Sequence, residues 1–189
     1  ACNAVFALSE AEAARGVATH SSGNHAQAVA YAAGLRHISA TVVMPESAPP
    51  VKVAAVRDYG AEIVWAGSRP LDRERKLEAV LAETGAHFIH PSNDAHVIAG
   101  QGTAALELVA EIPDLDIVMT PVGGGGLLAG TALAAAGRAP NARVIGAEPA
   151  AVDDAARSLR DGRIHPPTGA DTVADGLCTF LGDVNFPII

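Results

Sequence analysis

Four consecutive glycines, Gly123 to Gly126, stand between an apolar run and a helix-forming stretch. Without Cβ atoms, backbone N–H groups there can converge on an anion, and the following helix adds the partial positive charge of its N-terminus. That chemistry is phosphate binding. The plainer alternative is a tight turn that permits close packing. A Walker-type loop is excluded, because no Gly-Lys-Ser/Thr follows. A Rossmann dinucleotide site that would bind NAD stays open. Gly124-x-Gly126-x-x-Ala129 fits its fingerprint, and Glu148 falls about 20 residues on, where a ribose-binding acid belongs.

A second loop, Ser21-Ser22-Gly23-Asn24-His25, offers two hydroxyls, an amide and several N–H groups at the start of another helix. It suits a carboxylate or a ring oxygen. An ordinary N-cap would use the same residue types. A third candidate is the acidic stretch from Glu148 to Asp154. Two carboxylates six residues apart with a carbonyl between them suit a hard cation with oxygen ligands, whereas a helix start would also favour Asp153 and Asp154.

These loops need elements to hold them. Small and apolar residues from Cys2 to Leu8, then Ser9-Glu10-Ala11-Glu12 as a cap with acidic first-turn residues, predict two short helices. Gly16 to Thr19 reads as a strand, the Ser21 loop follows, and an alanine-rich helix runs from His25 to Ala33, ended by Gly34. Further strands are expected at 40–44, 62–65, 86–90, 116–122 and 143–148, with helices at 51–59, 71–84, 98–111 and 127–136. Strands alternating with helices argue for parallel sheets with helices on both faces. The fold class is α/β. The polar run Pro91-Ser92-Asn93-Asp94 divides the chain into lobes, the smaller at 15–93 and the larger formed by 1–14 with 94–189. Both loops should lie at the carboxyl ends of their strands and face one cleft. The pattern weakens after Ala156.

Composition removes several function classes. With 49% hydrophobic and 18% charged residues the chain has ample apolar surface to bury, which excludes disorder. Thirteen Lys and Arg against 21 Asp and Glu leave a net charge of −8 without a basic cluster, so nucleic acid is not an expected partner. The longest apolar stretch, 117–136, contains Pro121 and the four glycines, which argues against a membrane span. Two cysteines, Cys2 and Cys178, lack C-x-x-C spacing and fit a reducing cytoplasm, and no signal segment opens the chain.

Taken together, Thr19 to Ala28, Met44-Pro45-x-x-Ala48-Pro49, Tyr59-Gly60-Ala61, Ile98-Ala99-Gly100-Gln101-Gly102-Thr103, Pro121 to Leu127 and Gly146-Ala147-Glu148-Pro149 resemble one family. It is the fold-type II pyridoxal-phosphate (PLP) enzymes, specifically the serine/threonine dehydratases and serine racemases. The resemblance runs in one register from Ala1 to Ile189 and outranks the dinucleotide reading. It implies a tryptophan synthase β-like fold, with two parallel-sheet lobes in a three-layer αβα arrangement. The implied activity is that of a lyase or isomerase of amino-acid metabolism acting on serine or threonine in a homo-oligomer.

The resemblance also implies roles. Asn24 matches the residue that bonds the cofactor's ring hydroxyl oxygen, and Gly123, Gly124, Gly125 and Gly126 match the phosphate loop. Ser21, Gly23 and His25 fall in the loop that receives the substrate carboxylate. Ser22 matches the acid/base that racemases use on the cofactor face opposite the lysine, where many dehydratases carry alanine. Glu148, Asp154 and the Val152 carbonyl match a site for Mg2+ or Ca2+. One departure concerns His90-Pro91. Racemases follow this pair with a substrate-holding Asn, whereas here Ser92 comes first and Asn93 next. The family's Schiff-base lysine would fall about four residues before Ala1. Neither Lys52 nor Lys76 follows a serine at the required spacing, so these 189 residues alone are expected to be inactive. The family's last segments would also lie beyond Ile189. Beside the enzyme, a non-catalytic module binding PLP or another phosphorylated ligand, or a fragment needing a complementing segment, remains an alternative, as does the Rossmann domain.

Overall fold

The computed structural model describes residues 1–21, 23–170 and 172–189, with the backbone alone at Pro70. Two compact units result, Ala1–Pro91 and Ser92–Ile189.

The first unit begins with α1 (Cys2–Ala7) and α2 (Glu10–Ala13). Ser9 caps α2 in a capping box with Glu12. The alternation then runs β1 (Val17–His20), α3 (Asn24–Arg36), β2 (Ala40–Pro45), α4 (Pro50–Asp58), β3 (Glu62–Ala66), α5 (Pro70–Thr84) and β4 (His87–Phe88). The four strands form one parallel sheet in the order β3-β2-β1-β4, with Val17 opposite both Ala40 and His87. The pleat sends Ala18 and Val43 to the α5 face, where they pack with Leu77 and Val80. Val17, Val42 and Met44, all buried, belong to the opposite face, whose helices α3 and α4 bury Val29, Val53 and Val56. The unit is thus three layers, αβα.

Residues 1–14, grouped with 94–189 by the sequence, make contacts within this first unit. Val5 is fully buried as α1 packs on α3, and Arg36 of α3 donates to the carbonyls of Val5 and Leu8 at 2.5 and 2.8 Å. Helix α3 continues past Gly34, the residue expected to end it. A Cβ on Gly34 would make only ordinary van der Waals contact, 3.5 Å from the Tyr59 carbonyl oxygen, so the fold does not demand glycine there. His37 terminates the helix instead, in the left-handed conformation with φ 57°.

The second unit contains α6 (Ala95–Glu111), β5 (Ile117–Pro121), α7 (Gly126–Arg138), β6 (Arg143–Ala147) and α8 (Asp154–Asp161). Strands β5 and β6 are parallel, in register from Ile117 opposite Arg143 to Pro121 opposite Ala147. Helices α6 and α7 touch through backbone. A Cβ on Gly102 would lie 2.8 Å from the Gly130 carbonyl oxygen, and one on Gly130 would lie 2.5 Å from the Gly102 nitrogen. The core beneath joins Val122, Leu128, Ala155 and Leu181, with Phe186 and Ile189 packed on it. Helix α8 escapes apolar pattern reading because its buried residues are Asp154, Ala155 and Ser158. Among the described residues, no helix is long and apolar enough to cross a membrane.

Candidate active site

In the first unit the strand order reverses between β1 and β4, and open parallel sheets bind ligands at the carboxyl ends flanking such a point. The Ser21 loop leaves β1 there. Ser21 N–H donates to the Val43 carbonyl at 3.2 Å, and the Ser21 hydroxyl accepts from Gly23 N–H at 3.3 Å. Ser21 therefore spends its oxygen on a local turn, and Gly23, the residue before α3, gives that helix no side-chain cap. Among the described residues no side chain caps the first N–H groups of this 13-residue helix, which suit an outside acceptor. Asn24, exposed, is its first residue. Ser22 lies outside the described residues.

Around this loop stand three histidines. His20 stacks on Phe88 with centroids 5.7 Å apart, and His90 meets His20 edge-on at 6.2 Å. Burial, helped by the charges of His90 and Arg73, lowers the His20 pKa to about 4. His25 is lowered to about 4 as well, chiefly by burial. The His25 Nε2 lies 3.1 Å from the Ile89 carbonyl oxygen. At neutral pH both rings are neutral, so neither supplies positive charge to a carboxylate. Arg73 can. The nitrogen Nε of its guanidinium is buried and, among the described residues, without a partner. Sequence reading passed over Arg73 because it sits in the charged run Leu71 to Lys76, which looks like a solvated helix face.

In the second unit, Gly123 to Gly126 connect β5 to α7 as expected. Packing alone accounts for glycine at every position. A Cβ would meet Gly176 O at 3.0 Å from Gly123, Ser92 from Gly124 and from Gly126, and Leu181 at 2.7 Å from Gly125. The anion reading rests instead on the helix start. Gly125, with φ 86°, is the N-cap of α7, and among the described residues no side chain caps this 13-residue helix. A left-handed residue leading into unpaired helical N–H groups is the concave arrangement that holds anions, and it fits a phosphate ester. Ser92, expected at substrate, lies against this loop. Asn93 follows it. It ties down the chain's last segment, donating to Asp183 Oδ1 at 2.7 Å and accepting from Val184 N–H at 2.9 Å. At the amino end of β5, remote from the loop, Asp114, Asp116, Arg138 and Asn141 line an open depression.

The acidic stretch adopts a defined form. Glu148 accepts from the N–H groups of Ala155 and Ala156 at 3.2 and 2.7 Å, so it caps α8 from a distance. Asp154 is 1% exposed and its Oδ2 has no partner among the described residues. Burial and the adjacent Glu148 charge raise its pKa to about 6. No group of three or more His, Cys, Asp or Glu side chains could hold a metal among the described residues.

The pyridoxal-phosphate dependent enzyme model matches residues 1–189. The chain belongs to this PLP-dependent family. Serine racemase of Oryza sativa subsp. indica is 47% identical over 189 residues, the whole of this chain and 56% of that protein. L-threonine ammonia-lyase of Geobacter sulfurreducens is 50% identical over 179 residues, 93% of this chain and 44% of that one. The structure of maize serine racemase superposes with a TM-score of 0.96 at 46% identity, covering 99% of this chain and 57% of that one. The chain thus spans roughly half the length of the relatives it matches. The fold is that of the fold-type II PLP enzymes, and the dinucleotide spacing Gly124-x-Gly126-x-x-Ala129 occurs here within a PLP-family loop.

Proposed function

We propose that the protein containing these 189 residues is a PLP-dependent serine/threonine ammonia-lyase or serine racemase. The observation that carries this reading is the uncapped start of α7 behind Gly123–Gly126, in a chain that matches the PLP family throughout. In this reading the glycine loop binds the cofactor phosphate and Asn24 the ring hydroxyl oxygen. The cofactor would supply an electron sink for the α-carbon of serine or threonine. The Ser21–His25 loop and Arg73 receive the substrate carboxylate, and Ser22 exchanges a proton with the α-carbon. The lobe division 15–93 against 1–14 with 94–189, assembly into a homo-oligomer and a cytoplasmic location belong to the same proposal.

A divalent cation, Mg2+ or Ca2+, at Glu148, Asp154 and the Val152 carbonyl is part of it too. Support comes from the buried, unpartnered Asp154 oxygen beside a second carboxylate, which a cation would relieve.

The test uses the full-length protein with L-serine and L-threonine. Absorbance that borohydride bleaches, together with release of pyruvate or 2-oxobutyrate or formation of D-serine, is the expected result. A protein that holds PLP covalently yet transforms neither amino acid would overturn the reading.

A further inference from the structure

Asn185 is fully buried. Its Nδ2 donates to the Gly124 carbonyl at 2.6 Å, while its Oδ1 has no partner among the described residues. A buried acceptor left unmade is a standing cost, and an apolar side chain of the same branched shape would not carry it. What asparagine adds over leucine is therefore its donor, aimed at one carbonyl of the glycine loop.

That carbonyl determines where the loop's next N–H points. The peptide bonds here are all trans, and in a trans peptide the C=O and N–H of one plane point in opposite directions. With Gly124 O drawn toward Asn185, the Gly125 N–H faces away from Asn185. Gly125 is also the left-handed N-cap of α7, so its N–H joins those of the helix's first turn. The space behind is filled: a Cβ on Gly125 would lie 3.2 Å from the Asn185 Cβ and 3.2 Å from Ile189 Cδ1. The loop has no room to turn the peptide over.

We propose that Asn185 is a positioning residue, whose hydrogen bond to Gly124 O presents the Gly125 N–H to the cofactor phosphate. The proposal rests on the reading that the glycine loop holds that phosphate.

The experiment compares pyridoxal phosphate with pyridoxal, which lacks the phosphate, binding to the cofactor-free full-length protein. Asn185→Leu keeps the branched shape and removes the donor, though its methyl groups are larger than the amide atoms they replace; Asn185→Asp keeps the size and, measured at a pH where the carboxyl is ionised, removes the donor. The cofactor-free thermal midpoint is measured for each. Both variants are expected to bind pyridoxal phosphate about tenfold more weakly, with pyridoxal affinity unchanged. The proposal is overturned if Asn185→Leu binds pyridoxal phosphate like wild type, or if both affinities and the midpoint fall together, the mark of packing alone. If wild type itself binds pyridoxal as tightly as pyridoxal phosphate, the phosphate reading fails and takes this proposal with it.

Discussion

The His25 imidazole and the Ile89 carbonyl bridge the point where the sheet's strand order reverses, with Nε2 3.1 Å from the oxygen. Thr19 Oγ1 donates to the same carbonyl at 2.8 Å. One backbone oxygen thus joins the end of β1, the start of α3 and the segment after β4. The bond needs a hydrogen on Nε2, so a neutral His25 carries its lone pair on Nδ1.

Acid should loosen this bridge. His20 and His25 have folded pKa values of about 4, below the ordinary 6.5. Unfolded chains therefore bind more protons between these values. The stabilisation is fully present above about pH 6.5 and is lost as pH falls toward 4. His20→Phe, which preserves the contact with Phe88, should flatten the fall of thermal midpoint over that window. An unchanged slope would remove His20 from the account.

The backbone contact between α6 and α7 should tolerate no side chain. Gly102→Ala or Gly130→Ala is expected to destabilise by about 1–3 kcal/mol or more. Gly137→Ala, on the same helix α7 but with nothing within 4 Å of its Cβ, should stabilise by about 0.5–1 kcal/mol. Denaturant titration measures all three, and equal effects would contradict the crossing geometry.

Millimolar Mg2+ or Ca2+ should raise the thermal midpoint of the full-length protein, because a ligand that binds only the folded state stabilises it. Asp154→Asn should abolish the increment. A response that survives this substitution assigns the cation elsewhere.

Ser22→Ala should slow racemisation by about 10² to 10⁴, the usual contribution of a positioned acid or base, and leave β-elimination of serine less affected. Parallel assays of D-serine and pyruvate separate the two. Equal loss in both would make Ser22 a binding residue.

Much of this was legible in sequence because strands buried on both faces read as apolar runs, as in Ala40 to Pro45, and because glycine runs announce themselves. The helix beginning at Asp154 was legible only as one reading of an acidic stretch, since its inner face presents Asp154 and Ser158, and periodicity counts apolar residues. Gly34 misled because a glycine inside a helix reads as a terminator, whereas His37 takes the left-handed turn usually left to glycine. Asn185 and Arg73 carried no local signal. One lies in an irregular tail and the other in a charged run, and only the folded chain reveals that polar atoms of both are buried.

The meeting of Gly102 and Gly130 also constrains how this protein can change over generations. An oversized residue in a core is commonly rescued when a neighbour shrinks, and families drift along such paired exchanges. Here both neighbours already carry the smallest side chain there is. Neither can compensate for the other, so the two positions have no stepwise path away from glycine and should show no pairwise covariation while remaining individually intolerant.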